Sequence, residues 1–316
     1  MAVTDSIASE YATLTEACGL VDRSERGKLA LTGAGAAEFL NGQVTNDVLT
    51  IEPGTGAYAA FLTNKGKMLG DLRILNTGEE LLLDTERVAL QALFDMIRRY
   101  KVGYDVELHK RTVQSGLFSL IGPDARSIAG AEGLPTEEHA HRFATVGGRP
   151  VRLIATDAGV DVLCDAEDAD TVAGALFEAG AVAVDEAAAD LVRVERGRPR
   201  YGVDLDETTI PQEAGLNERA VSFTKGCYVG QETVARLFYK GKPNRHLRGL
   251  VLSAPVPSGE ELRVGEKVVG KVGTAVVSPA RGPLALALVR REAPVGSTVH
   301  VGDGGVSATV VELPFA

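Results

Sequence analysis

A stretch that occurs twice decides the predicted fold. One copy reads RILNTGEELLLD (residues 73–84), and the other reads RLIATDAGVDVLCD (residues 152–165). In each copy two apolar runs flank a turn that contains a glycine, Gly78 or Gly159, which is typical of a β-hairpin. The copies lie about 80 residues apart, a spacing longer than that of solenoid repeats. The sequence therefore predicts two related α+β subdomains.

The residues around these hairpins also correspond. After the first copy, Leu90, Leu93, Phe94 and Ile97 have the spacing of an amphipathic helix. After the second copy, a helix is predicted from about Asp168 to Ala179, and it stops at Gly180, where glycine suits a helix end. Upstream, residues 29–36 and 118–125 both predict a strand, a glycine turn and a helix start.

The sequence changes character after Pro243. Short valine-rich runs are separated by glycine and proline, which predicts a small all-β barrel or sandwich. We therefore expect two regions: residues 1–243, with two intertwined α+β subdomains, and residues 244–316, with a C-terminal β-barrel.

Composition excludes several classes of protein. The chain has 316 residues, 24% of them charged and 45% hydrophobic, as in an ordinary globular protein. No apolar run is long enough for a membrane span, and the N-terminus lacks the features of a signal peptide. The three cysteines, Cys18, Cys164 and Cys227, are widely spaced and form no C-x-x-C pair. We therefore expect a reducing, cytoplasmic location, no disulfide framework and no metal site.

The charge is unevenly distributed. The net charge is −10, which argues against nucleic acid as the main partner. Between Arg219 and Arg248, however, seven basic residues face one acidic residue, Glu232. This basic cluster is either a solvated face or a surface that attracts an anionic ligand, such as a glutamate tail or phosphates.

One segment inside the basic cluster has the features of a reactive thiol. It reads KGCYVGQE (residues 225–232), with Cys227 between two glycines and beside Lys225 and Tyr228. Glycine permits unusual backbone conformations, and a neighbouring cation lowers the pKa of a thiol. A cysteine that only packs in a turn is the alternative interpretation. Because no histidine stands in a known nucleophile signature, redox or transient metal chemistry is favoured over covalent catalysis.

Three other polar positions are candidates for ligand binding. Glu195 follows a predicted strand, residues 191–194, and its carboxylate could accept two hydrogen bonds from an amidine-like edge such as that of a pterin. Asp71 follows a glycine-containing turn, and its spacing alone favours a hairpin with an exposed acid. The loop from Asn41 to Asp47 could line a polar ligand or only complete a turn.

Taken together, these segments resemble the aminomethyltransferase (glycine-cleavage T-protein) superfamily, and within it the YgfZ family of folate-binding proteins of iron–sulfur cluster maintenance. The resemblance covers nearly the whole chain. The segment at residues 225–232 is specific to the YgfZ branch. The more widely shared segments are FLNGQVTND (39–47), NKGK (64–67) with Asp71, ERG (195–197) with YGVD (201–204), and IPQE (210–213).

The resemblance implies an α+β, GcvT-like fold: a three-domain ring of two interlocked α+β subdomains and a C-terminal β-barrel. It also implies that tetrahydrofolate, or a one-carbon derivative, binds in the central hole. Glu195 would hold the pterin, and Asn46 and Tyr58 would line the cavity. We further expect Arg196, Lys225 and Tyr228, which lie in the matching motifs, to contact the cofactor.

The resemblance leaves the activity open. Cys227 implies an accessory factor for the assembly or repair of iron–sulfur enzymes, with folate and iron–sulfur client or assembly proteins as partners. Asp71 matches the acid that assists one-carbon transfer in true aminomethyltransferases, so a folate-dependent transferase is the alternative. A third interpretation is a tRNA- or protein-binding module that uses the basic cluster.

Overall fold

The computed structural model describes residues 2–303 and 305–315 of the chain. Its helices are α1 (Ala2–Glu16), α2 (Ala36–Asn41), α3 (Leu90–Tyr100), α4 (Ala125–Ile128), α5 (Ala169–Glu178), α6 (Glu186–Glu195), α7 (Asn217–Ala220) and α8 (Gln231–Lys240). No helix within these residues is long and apolar enough to span a membrane.

The strands are interspersed with these helices until residue 244 and then follow one another directly. They are β1 (Gly19–Asp22), β2 (Gly27–Thr32), β3 (Gly56–Leu62), β4 (Met68–Asn76), β5 (Leu81–Thr85), β6 (Glu107–Lys110), β7 (Ser115–Ile121), β8 (His141–Val146), β9 (Arg149–Ala155), β10 (Gly159–Asp165), β11 (Val182–Ala183), β12 (Arg245–Leu252), β13 (Glu261–Val264), β14 (Lys267–Ser278), β15 (Gly282–Arg290), β16 (Thr298–Val301) and β17 (Val306–Val311).

The two predicted α+β subdomains are confirmed by two sheets whose strands correspond in order. One sheet has the order β3-β4-β5-β2-β6, and the other, read from its opposite edge, has the order β8-β9-β10-β7-β1-β11. The hairpins β4–β5 and β9–β10 are the two copies of the repeated sequence. In each sheet the second hairpin strand pairs with the strand that precedes a short helix, β2 before α2 and β7 before α4.

Each of these sheets includes a strand from a part of the chain outside its own repeat. Strand β1 comes first in the sequence, yet it pairs with β7 of the second sheet. Strand β6 comes after helix α3 and closes the edge of the first sheet beside β2. Each subdomain therefore depends on chain that lies outside its own repeat.

The predicted C-terminal barrel is also confirmed. Strands β12 to β17 form a closed barrel in the order β12-β15-β14-β13-β16-β17. Alternate residues along these strands point inward, as in all small barrels, and Leu250, Val269, Val289 and Val299 are fully or almost fully buried there. Closure leaves no free sheet edge among these six strands.

One predicted strand is wrong. Residues 191–194 belong to helix α6, which begins at Glu186 and ends at Glu195. The buried positions Ala188, Leu191 and Val192 follow helical spacing, i, i+3 and i+4. A short apolar run does not distinguish a strand from a buried helix, and the three preceding alanines favour the helix.

The chain divides into two compact units. The first contains Met1–Phe61, Leu69–Ala189 and Thr224–Val229, and includes most of both sheets. The second contains Leu62–Met68, Asp190–Phe223 and Gly230–Ala316, and includes the barrel. The thiol segment up to Val229 therefore packs with the first unit, whereas helix α8 packs with the second.

A buried ion-pair network joins the two sheets of the first unit. Arg73 on β4 contacts Asp84 on β5 through Nη2 (2.8 Å) and Asp161 on β10 through Nη1 (2.7 Å). The other carboxylate oxygens accept hydrogen bonds from Arg26 (2.9 Å) and Ser119 (2.7 Å). Burial raises the pKa of Asp84, but the charges of Arg26 and Arg73 offset this effect and hold the pKa below its ordinary value.

We expect Arg73→Met to lower the free energy of unfolding by about 3–5 kcal/mol, because it leaves two buried carboxylates without their shared cation. Chemical denaturation at neutral pH measures this change. Arg149→Met is the control, since Arg149 is half-exposed in its pair with Asp168 and its loss should cost about 1 kcal/mol or less.

The ion pair of Arg73 with Asp84 also makes the stability of the protein depend on pH. Because the folded-state pKa of Asp84 is lowered, the stabilisation is complete above the unfolded-state pKa and is lost as the pH falls below about 4. The difference in the free energy of unfolding between wild type and Arg73→Met should become smaller as the pH is lowered. An equal loss of stability in the two arginine variants would contradict the role of Arg73.

Candidate functional site

The thiol segment is held in place by the buried ammonium group of Lys225. Its Nζ donates hydrogen bonds to the carbonyl oxygens of Asn41 (2.5 Å), Val44 (2.9 Å) and Asn46 (2.7 Å). Asn41 is the last residue of α2, where unpaired carbonyls favour a cation. Burial lowers the pKa of Lys225 to about 8, and the charge of Asp47 opposes this shift.

Residues on the other side of Cys227 are also fixed. Tyr228 is buried, and Nζ of Lys225 lies 5.1 Å from the centroid of its ring. Burial raises the pKa of Tyr228 to about 12. The backbone N–H of Val229 donates to the carbonyl oxygen of Gly42 (3.2 Å). Segment 225–229 is therefore bound on both sides of the thiol to the loop that follows α2.

Cys227 itself is exposed, as its sequence context predicted. The other two cysteines, Cys18 and Cys164, are buried. Burial, together with nearby carboxylates, raises the pKa of each of these two thiols to about 11. Of the three cysteines, Cys227 is thus the one that a partner or reagent can reach.

The two glycines that flank the thiol have different roles. Gly230 has φ +85°, and a Cβ at this position would lie 2.6 Å from the carbonyl oxygen of Thr63. Only glycine fits such a left-handed position beside another backbone. At Gly226, by contrast, a Cβ would point into open space, more than 4 Å from any described atom beyond the adjoining residues. Crowding therefore explains the glycine at position 230 and not the one at position 226.

The loop bound by Lys225 connects to two more predicted residues. The side-chain amide of Asn46 donates to the carbonyl oxygen of Tyr58 on β3 (2.8 Å) and accepts a hydrogen bond from the N–H of Asp47 (2.9 Å). The Tyr58 ring stacks with His139 at a centroid distance of 6.4 Å. The structure therefore brings Lys225, Asn46 and Tyr58 into one hydrogen-bonded set.

Asp71 lies within β4 and is 4% exposed. The hairpin predicted at this position is present, but the expectation of an exposed acid is wrong. The preceding turn does not reveal that both faces of this sheet are covered at Asp71. The backbone carbonyl of Asp71 accepts a hydrogen bond from the hydroxyl group of Thr85 on β5 (2.5 Å), which fixes this part of the strand.

Glu195 belongs to the second unit, and its carboxylate is oriented by Ser278. The Ser278 hydroxyl donates to Oε1 of Glu195 (2.5 Å) and accepts hydrogen bonds from the N–H groups of Ala280 (3.1 Å) and Arg281 (3.0 Å). Arg196, the next residue, is exposed.

Sequence reasoning missed Ser278. Its one signal is the Ser278-Pro279 pair at the end of β14, which favours a turn but does not indicate contact with Glu195. The carboxylate and the hydroxyl are separated by 83 positions in the chain.

Comparison with known proteins identifies the family. Residues 1–225 match the model of the GCVT N-terminal domain, and residues 245–316 match the glycine cleavage T-protein C-terminal barrel domain. The chain therefore belongs to the glycine cleavage T-protein family. The YgfZ branch is a finer assignment that these matches do not make.

Individual relatives agree with the family. An aminomethyltransferase of Frankia alni is 32% identical over 98% of this chain and 88% of its own length. A chloroplastic protein of Arabidopsis thaliana, whose name assigns it provisionally to the transferases, is 29% identical over 94% of this chain and 71% of its own length. The crystal structure of aminomethyltransferase T of the Bartonella henselae glycine cleavage system has the same fold, with a TM-score of 0.88, 23% identity, and coverage of 98% of this chain and 89% of that chain.

We expect Lys225→Met to lower the free energy of unfolding by about 2–4 kcal/mol, because it leaves three carbonyl oxygens without their shared donor. Amide hydrogen exchange should accelerate locally at residues 41–48. Lys65→Met, at an exposed position, is the control and should leave both measurements unchanged. Unchanged exchange in residues 41–48 of the Lys225 variant would contradict the anchoring role.

Proposed function

We propose that the protein is a tetrahydrofolate-binding accessory factor for the assembly or repair of iron–sulfur enzymes, with Cys227 as its working thiol. The observation that carries this proposal is an exposed thiol on a segment fixed on both sides, by Lys225 and by Tyr228 with Val229. Placing an ammonium group at a buried position to hold this segment is costly, which favours a functional role for the segment.

A single exposed thiol suits transient chemistry on a cluster or a client. Iron–sulfur clusters are held by several thiolates, commonly four. Cys18 and Cys164 are buried, so neither can join Cys227 as a second exposed ligand. The client protein would therefore supply the other ligands, and the cluster is cargo for this protein.

Glu195 supports folate as the cofactor. Its carboxylate is held by the Ser278 hydroxyl, so it is oriented before any ligand binds. A fixed carboxylate fits the adjacent N–H donors of a pterin, since two parallel charge-assisted hydrogen bonds require a defined orientation. Tetrahydrofolate supplies a carrier for one-carbon groups when it is bound. Contacts of Arg196, Asn46, Tyr58, Lys225 and Tyr228 with the folate stay predictions.

A second candidate function is folate-dependent one-carbon transfer. Several relatives are named aminomethyltransferases, and Asp71 is buried on β4. A carboxyl group at a buried position is a candidate for the acid that moves a proton during the transfer. In this function Asp71, rather than Cys227, would be the essential residue.

We expect Glu195→Gln to weaken tetrahydrofolate binding by about 30-fold or more, because a neutral amide cannot accept both hydrogen bonds of the pterin edge. Isothermal titration calorimetry measures the affinity. Glu178→Gln is a matched control, since Glu178 also ends a ten-residue helix but is exposed. Equal affinities for wild type and Glu195→Gln would contradict the assignment of Glu195.

Two further variants distinguish the candidate functions. If the protein is an accessory factor, Cys227→Ser should abolish its ability to restore an iron–sulfur enzyme activity in cells that lack the protein, and Asp71→Asn should not. If it is a transferase, Asp71→Asn should lower one-carbon transfer by about 100-fold or more, the contribution typical of an acid–base group. Full restoration by Cys227→Ser would sink the accessory function.

A further inference from the structure

Helix α8 carries an exposed surface that neither folate binding nor Cys227 explains. Val234 is the fully buried residue of this helix, whereas Phe238 is 47% exposed and Tyr239 is 66% exposed. The basic residues next to them are also exposed. We define the α8 surface as Arg236, Phe238, Tyr239, Lys240 and Lys242.

The aromatic side chains of this surface pack against one another. The Phe223 ring stacks against the Phe238 ring at a centroid distance of 3.7 Å and an interplanar angle of 15°. The Tyr239 ring meets Phe238 edge to face, at 5.0 Å and 82°. Rings that hold one another in place lose little conformational entropy on binding, and such residues are typical anchors of protein interfaces.

Several residues of the basic cluster make contacts within the protein. Lys225 binds three carbonyl oxygens, Arg245 contacts Glu213 (2.9 Å), and Arg248 contacts Glu312 (3.2 Å). These three side chains therefore serve internal contacts, and a fourth member of the cluster, Arg219 in α7, is half-buried.

Arg236, Lys240 and Lys242 lie near the two aromatic side chains in the sequence, and all three are exposed. Arg236 and Lys240 are four residues apart in α8 and so share one face of the helix. The exposed cations of the cluster thus lie next to the exposed aromatic residues in the chain.

We propose that the α8 surface binds a protein segment that presents carboxylates around apolar side chains. Exposed aromatic rings with exposed cations nearby in the chain are complementary to such a segment in both polarity and charge. Burial of the exposed ring surface supplies affinity, and the three exposed cations select an acidic partner.

A protein segment fits this surface better than single-stranded RNA. Bases bind to open faces of aromatic rings, but Phe223 covers one face of Phe238. The surface offers three cations for phosphates, and the chain as a whole carries a net charge of −10, which repels a polyanion.

In the sequence, Cys227 is separated from the first residue of α8 by three residues, Tyr228, Val229 and Gly230. Binding at the α8 surface does not require this neighbour or folate, so it can be absent while the proposed function holds.

The test uses the full chain and a fluorescein-labelled amphipathic peptide with glutamates on one face and leucines on the other. Fluorescence anisotropy at low ionic strength should show saturable binding. Tyr239→Ser/Lys240→Glu should weaken binding by about tenfold, through loss of one anchor ring and reversal of one charge. Lys242→Glu alone should weaken it by a smaller factor.

A second pair of residues provides the matched control. Arg99 and Tyr100 are an exposed cation and an exposed aromatic ring at the end of α3. Arg99→Glu/Tyr100→Ser makes the same changes in charge and size and should alter affinity by less than about twofold.

Four results would overturn the proposal: no saturable binding, equal binding of a peptide with glutamine in place of glutamate, equal losses in the two double variants, or tighter binding of labelled oligouridylate. The last result would assign the surface to nucleic acid. Loss of peptide binding in Tyr239→Ser/Lys240→Glu with unchanged tetrahydrofolate affinity separates this surface from the folate site.

Discussion

The ion pairs of Arg73 are the interaction on which the first unit depends. Its guanidinium group joins Asp84 of one sheet to Asp161 of the other, and all three side chains are buried. Three ionised groups are tolerated there because each satisfies another. Strands β1 and β6 bring chain from outside each repeat to the sheet edges. The ion-pair network joins the repeated hairpins themselves, because Arg73 and Asp84 lie on one hairpin and Asp161 lies on the other.

The thiol segment uses the same principle on a smaller scale. Lys225 buries an ammonium group so that one loop holds another, and the result is an exposed Cys227 on a backbone that is fixed at both sides. The loop held in this way also carries Asn46, which is bonded to the backbone of Tyr58. Under the proposed function, this fixed thiol avoids the ordering cost that a mobile thiol would incur at each encounter with a client.

Glu195 and the α8 surface, which we propose as binding groups of the second unit, are each held by another residue. Ser278 orients the Glu195 carboxylate, and Phe223 supports the exposed ring of Phe238. In both cases a residue with no predicted ligand contact fixes one for which we propose such a contact. Preorganisation of this kind lowers the entropic cost of binding.

The sequence by itself determined the two hairpin repeats, the C-terminal barrel and the exposed thiol, because these follow from local periodicity and from residues adjacent in the chain. It did not reveal that residues 191–194 are helical or that Asp71 is buried, since short apolar runs and turns are compatible with several environments. Only the tertiary structure decided that Lys225 binds carbonyl oxygens of the loop after α2 and that Ser278 orients Glu195. The contacts of Lys225 join positions at least 179 residues apart, and the contact of Ser278 joins positions 83 residues apart. No local sequence pattern encodes contacts over such separations.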